Sequence, residues 1–190
     1  MKQVHRWLNL LVAVVLLSLA GTSTVFAAEA GSIIVPGVTC GVAEVDGDIG
    51  EWDLDYDFFA DMYRAANTSK PVESKLYLRY DAALETLYVL VLAEPGVDVK
   101  VMPDDAFVKL GNTEKLVDGN YGNDGTAPSF EWVVSGDRVW GWEASVLLDQ
   151  GYYDNFNVHV QVEDGGAQTS AVAGRAIKVN IAVSYTHIRA

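Results

Sequence analysis

The chain is poor in the residues that most site chemistry draws on. Its 190 residues include one cysteine, Cys40, and three histidines, and 13 lysines and arginines stand against 26 aspartates and glutamates, for a formal net charge of −13. A lone cysteine excludes an internal disulfide and a cysteine-rich zinc site. Cys40 is then either a small buried residue or half of a bridge whose partner is not in this chain. The shortage of positive charge argues against nucleic acid and anionic membrane as partners, because both are held by cations that displace counterions. No zinc spacing, glycine-rich phosphate loop or basic patch is present. Beyond the N-terminal stretch no segment is apolar enough to span a bilayer.

That N-terminal stretch has its own pattern. Lys2, His5 and Arg6 precede an apolar run from Leu8 to Ala20, and small residues follow through "GTSTVFAAEA". A basic start, an apolar segment shorter than a membrane span and a small-residue exit read as a secretory signal peptide over residues 1–28, cleaved between 27 and 30. Thr22 stands where a lipoprotein would need cysteine. Removing Lys2 and Arg6 takes the net charge from −13 to −15. A secreted, extracellular or cell-surface protein is expected. At the other end "VSYTHIRA" departs from the style of what precedes it and resembles a translated sequencing-adapter read-through. Residues 183–190 are accordingly expected to be a non-native tail, leaving one domain over 31–182.

Within that domain the hydrophobic period is 2. "KLYLRY" and "TLYVLVL" are β-rich runs joined by "DAALE", a hairpin whose second strand is apolar on both faces and so central. "NFNVHVQVE" alternates, with Phe156, Val158, Val160 and Val162 to the core and Asn155, Asn157, His159, Gln161 and Glu163 to solvent or a ligand. "RAIKVNI" repeats the pattern, and "FFADMYRAA" reads as a short strand or helix. Turn signals such as "DGD", "EPG", "SGD" and "EDGG" recur at the spacing of an all-β protein. The expectation is an antiparallel β-sandwich, immunoglobulin-like or jelly-roll-like, of about eight to ten strands.

Two stretches are dense enough in one chemistry to suggest a site. In "VDGDIGEWDLDYDFFADMY" the acidic residues Asp46, Asp48, Glu51, Asp53, Asp55, Asp57 and Asp61 crowd around Trp52. They are hard oxygen ligands of the kind calcium takes. Asp46, Asp48, Glu51 and Asp53 form the candidate set, although Gly50 and the lack of a glutamate at the twelfth position break the EF-hand pattern. A glycosidase-type carboxylate pair would need a deep substrate cleft that nothing else in the sequence suggests. The other stretch is "SFEWVVSGDRVWGWEASVLL". A three-residue loop, Ser135-Gly136-Asp137, would pair Trp132 with Trp140 and Phe130 with Trp142, putting all four rings on one face. Such a face is either core or a platform on which sugar rings stack. A nucleophilic triad would have to use His159, which lies in mid-strand.

The opening "VDGDIGEWD", with Val45, Asp46, Gly47, Ile49, Glu51, Trp52 and Asp53, and the late Trp142-Glu143 pair of "GWEASVLL" resemble the superfamily that contains the family 9 carbohydrate-binding modules and the DOMON domains. The resemblance implies a β-sandwich. Sugar-binding members clamp a terminal saccharide between two tryptophans with calcium held nearby, which makes Trp132, Trp140 and Trp142 clamp candidates and Asn157, His159 and Gln161 polar neighbours. Haem-binding members use a methionine and a histidine as axial ligands, for which Met62, Met102 and His159 are available. Other members are modules of large bacterial surface proteins. A non-catalytic module binding a polysaccharide or cell-surface glycan is therefore expected, with a structural or adhesive module and a haem domain as alternatives.

Overall fold

The computed structural model describes residues 37–111, 115–162, 168–171 and 177–181, all within one compact unit, Val35–Ala190. The expected signal segment and the 183–190 tail lie outside the described residues. The fold is all-β and sandwich-like. Among the described residues there are eleven strands: β1 (Thr39–Cys40), β2 (Phe58–Arg64), β3 (Val72–Asp81), β4 (Thr86–Ala93), β5 (Phe107–Leu110), β6 (Lys115–Asp118), β7 (Ser129–Ser135), β8 (Arg138–Leu147), β9 (Gly151–Gln161), β10 (Gln168–Ala171) and β11 (Ile177–Ile181), with one 3₁₀ turn at Pro103–Asp105.

These strands hydrogen-bond in the order β6-β5-β9-β10-β2-β3-β4-β8-β7, with β1 beside β3 and β11 beside β9. All of these pairs are antiparallel except β1 with β3. The sheet curls, so that β6 at one end comes against β7 and β8 at the other. Its inner face encloses one apolar core to which Leu76 and Leu78 of β3, Val89 and Val91 of β4, Trp142 and Ala144 of β8, and Phe156, Val158 and Val160 of β9 contribute. This is the alternation that a half-buried strand requires. The segment "FFADMYR" is a strand, β2, with Met62 fully buried.

The outer face of β3, β4, β7 and β8 is not left to solvent. The chain between β1 and β2 crosses it as a strap, and Ala43, Val45 and Trp52 pack there with Tyr77, Tyr88, Leu90 and Val133 as a second, smaller cluster. That explains why β4 is apolar on both faces: it lies between two cores. At Gly141, on the same outer face, a Cβ would overlap the carbonyl oxygen of Val91. Only glycine lets β8 approach β4 so closely.

Candidate functional site

The strap is fastened to the sheet by two buried carboxylates. Glu143, on β8, has no exposed surface. Its Oε1 accepts the backbone N–H of Asp46 at 2.7 Å and that of Gly47 as well, while Oε2 accepts the indole N–H of Trp52 at 3.3 Å. Gly47 stands at φ +85°, and a Cβ there would lie 2.9 Å from the Trp132 carbonyl oxygen. A side chain at that position would push the strap off its anchor. Burial pushes the Glu143 carboxyl up from 4.5 to about 7, with the amides of Gly47 and Asp46 and the Trp52 indole pulling it back and Glu51 adding to the rise. The opening motif and the Trp-Glu pair, more than 90 residues apart, thus form one structural unit.

The second anchor is Asp57, also buried. It pairs with the Arg79 guanidinium, accepts the Thr39 hydroxyl at 2.6 Å, and accepts the Asp53 N–H at 3.0 Å. Arg79 in turn donates to the carbonyl oxygens of Val42 at 2.9 Å and Glu51 at 3.0 Å, and lies 5.2 Å from the Trp52 ring centre. One guanidinium thereby ties both ends of the strap to β3.

The four candidate calcium ligands are exposed, and each is engaged locally. Asp46 accepts the Asp48 N–H at 2.8 Å, Asp48 that of Gly50 at 3.0 Å, Glu51 that of Glu44 at 3.0 Å, and Asp53 those of Asp55 at 3.2 Å and Tyr56 at 3.0 Å. Among the described residues no three histidine, cysteine, aspartate or glutamate side chains come together as a metal site. The density of carboxylates comes from tight turns that short acidic side chains cap, and the residues present do not assemble a calcium cage. Cys40, one of whose expected readings was a small buried residue, is instead exposed.

The aromatic hairpin differs from its expected register. Its loop has two residues, Gly136 and Asp137, with Ser135 opposite Arg138, and a bulge between Val133 and Val134 pairs Trp132 with Trp142 and Phe130 with Ala144. Trp140, between Val139 and Gly141, is itself the extra residue, and the bulge re-aims it. Trp142 is fully buried in the main core, stacked on Phe130 at 5.4 Å, and Trp132 packs edge-on to Phe130 at 5.1 Å. Trp140 packs instead on the strap side, with the Arg138 guanidinium 4.7 Å from its ring. The shared face expected of the three tryptophans does not form, and Trp142 is closed to any ligand.

Strand β9 also departs from expectation on its second face. His159 and Gln161 are buried and Asn157 is half-buried, because β5 and the 3₁₀ turn lie against that side. The His159 ring stacks on Phe107 at 4.8 Å, and its Nδ1 lies 2.8 Å from the Asp105 carbonyl oxygen. Of the haem set, Met62 is set apart from His159. Met62 belongs to the inner core whereas His159 alternates with core residues and faces outward, so these two cannot flank one haem. Met102 lies just before the 3₁₀ turn.

The strap leaves a cleft on either side of it. One, of about 530 Å³, is lined by Trp140, Tyr77, Val133 and Leu54, with Asp48 and the Lys75–Glu94 ion pair (2.9 Å) also in its wall. The other, of about 600 Å³, lies between strap residues Val42–Asp46 and the loop at Asn123–Ala127. Both volumes are in the range of small-ligand sites. Of the six residues expected to bind ligand, Trp140 alone lines either cleft. Sequence reasoning passed over Tyr77 and Arg79, and took Glu143 only as part of a motif. A charged residue between Trp142 and Ala144, inside an otherwise apolar strand, was the available signal, since a buried carboxylate demands donors. No family model, curated protein or solved structure matches the chain.

Proposed function

We propose that this domain is a non-catalytic carbohydrate-binding module, exported to the cell surface or beyond, that takes a sugar in the cleft beside Trp140. The observation that carries this reading is the composition of that cleft. The half-buried Trp140 indole offers aromatic surface for the C–H face of a pyranose, with Tyr77 buried behind it, and Lys75, Glu94 and Asp48 offer charged donors and acceptors for its hydroxyls. The resemblance to the family 9 carbohydrate-binding modules supports the same class. Asp46, Asp48 and Asp53 of the opening run are occupied in capping turns.

Affinity-gel retention of the full chain on insoluble and soluble polysaccharides tests the reading. Trp140→Ala is expected to lower retention at least tenfold, because aromatic stacking supplies much of such binding. Retention that is the same with and without the Trp140 ring contradicts it. A second reading, an adhesive or structural module, is favoured by the exposure of Leu54, Tyr56 and Phe58, neighbours on the strap's exit. Binding of no glycan, together with further modules encoded beside this one, would favour that reading instead.

A further inference from the structure

The cleft on the other side of the strap is built differently, and its chemistry defines a different ligand surface. Its floor is the outer face of β4, β8 and β7, where Tyr88 lies opposite Ser145 and Ser145 opposite Ser129. The two serines are nearly fully buried at the base of the cleft, 2 % exposed each, with their hydroxyls 2.8 Å apart and hydrogen-bonded to each other. In such a pair one hydroxyl spends its proton on the other, which leaves one free O–H donor and unused lone pairs side by side. That is the complement of two neighbouring hydroxyls on a sugar or cyclitol ring, which likewise present one donor and one acceptor to a partner.

The walls narrow the choice further. Leu84 and Leu147, each 60 % exposed, and Val42, 55 % exposed, form an apolar rim. Exposed leucines at the mouth of a cleft with a polar floor suit a ring that has both a C–H surface and hydroxyls. Glu44 and Asp46 are the charged residues among those lining the cleft, and no described lining residue is cationic. An anionic ligand would meet like charge with nothing to offset it. At one end the Asn123 side-chain amide donates to the Val45 carbonyl oxygen, which joins the loop to the strap and closes the cleft there.

We infer that this cleft is a second binding site, independent of the Trp140 cleft, and that it takes a neutral polyhydroxylated ring of pyranose size. The Ser129–Ser145 pair orients the ring through two adjacent hydroxyls, and Leu84 and Leu147 cover its apolar face. The two sites lie on the same outer face with the strap between them.

An NMR titration of the isotope-labelled full chain with methyl α-glucopyranoside, methyl β-galactopyranoside and myo-inositol, each taken to tens of millimolar, tests this, with glucuronate as the anionic counterpart. At least one neutral ring is expected to shift the amides of Ser129, Ser145 and Thr126 saturably, and glucuronate to shift them less. Ser145→Ala, which removes one floor hydroxyl, is expected to weaken that response at least about fivefold. The surface variant Leu147→Arg, which puts a long side chain at the mouth without touching the core, is expected to abolish it. Trp140→Ala should leave it unchanged, so that failure of the first cleft and failure of this one are read separately. The inference is overturned if no neutral ring moves these amides, if glucuronate moves them as much, or if both Ser145→Ala and Leu147→Arg respond as the parent chain does.

Discussion

Glu143 and Asp57 are both buried, both carboxylates, and both hold the same strap to the same sheet, yet their partners differ in kind. Asp57 faces the guanidinium of Arg79, a full positive charge, along with a hydroxyl and an amide. Glu143 faces only neutral donors, two backbone amides and an indole. A carboxylate paired with a cation has the cost of its burial offset by opposite charge, whereas one surrounded by neutral N–H groups has it only partly offset. The consequence is visible at Glu143, whose carboxyl is pushed up to about 7. One anchor is electrostatic, and the other is a hydrogen-bond acceptor that happens to carry an acid.

The comparison makes graded predictions. The largest effect is expected from Asp57→Ala, which strands a guanidinium that is mostly buried; urea denaturation should show a loss of about 3–5 kcal/mol. Asp57→Asn should recover little of it, because the missing element is charge. Glu143→Leu removes the acceptor for three donors but leaves no unpaired charge, and is expected to cost about 2–4 kcal/mol. Here the neutral isostere should work: Glu143→Gln is expected to cost only about 1 kcal/mol. Equal responses of the two sites to their amide isosteres would erase the distinction.

The pH dependence follows from the same asymmetry. Because the folded Glu143 carboxyl titrates near 7 and its ordinary value is 4.5, the fold favours the protonated acid. Its contribution is fully present below pH 4.5 and is lost as pH rises through 7, by up to about 3 kcal/mol. Denaturation of the parent chain and of Glu143→Gln, compared across that range, should show the parent losing stability relative to the variant as pH rises. A constant difference would mean that Glu143 does not titrate there. The smallest effects belong to the exposed acids. Asp48→Asn and Asp53→Asn should shift stability by no more than about 0.5 kcal/mol, and neither EDTA nor millimolar calcium should move the melting temperature.

The sequence was most readable where one period governs a whole strand. The two apolar faces of β4 follow from its unbroken apolar run and the core face of β9 from alternation, and Trp52 was legible as the centre of the opening motif. Its partner was not, because Glu143 lies 91 residues on and meets it only after the sheet has formed. The β7–β8 hairpin misled for a local reason: a bulge at Val133–Val134 inserts one residue and turns Trp140 to the opposite face. The polar face of β9 misled for a distant one, since Phe107 of β5 and Asp105 of the 3₁₀ turn meet His159 only in the fold. Neither cleft could be foreseen, as each exists only because the strap crosses a sheet face.

The central claim is that the acidic opening is a structural strap latched to Glu143, and amide hydrogen exchange at Asp46 and Gly47 tests it most directly. Both residues lie in irregular chain at the surface, with Asp46 itself exposed, so their amides should exchange freely unless Glu143 holds them. The account predicts strong protection of both in the parent chain, and its loss in Glu143→Leu while the β4 amides of Val89 and Val91 stay protected. Fast exchange at Asp46 and Gly47 in the parent chain, or protection that survives Glu143→Leu, would contradict it.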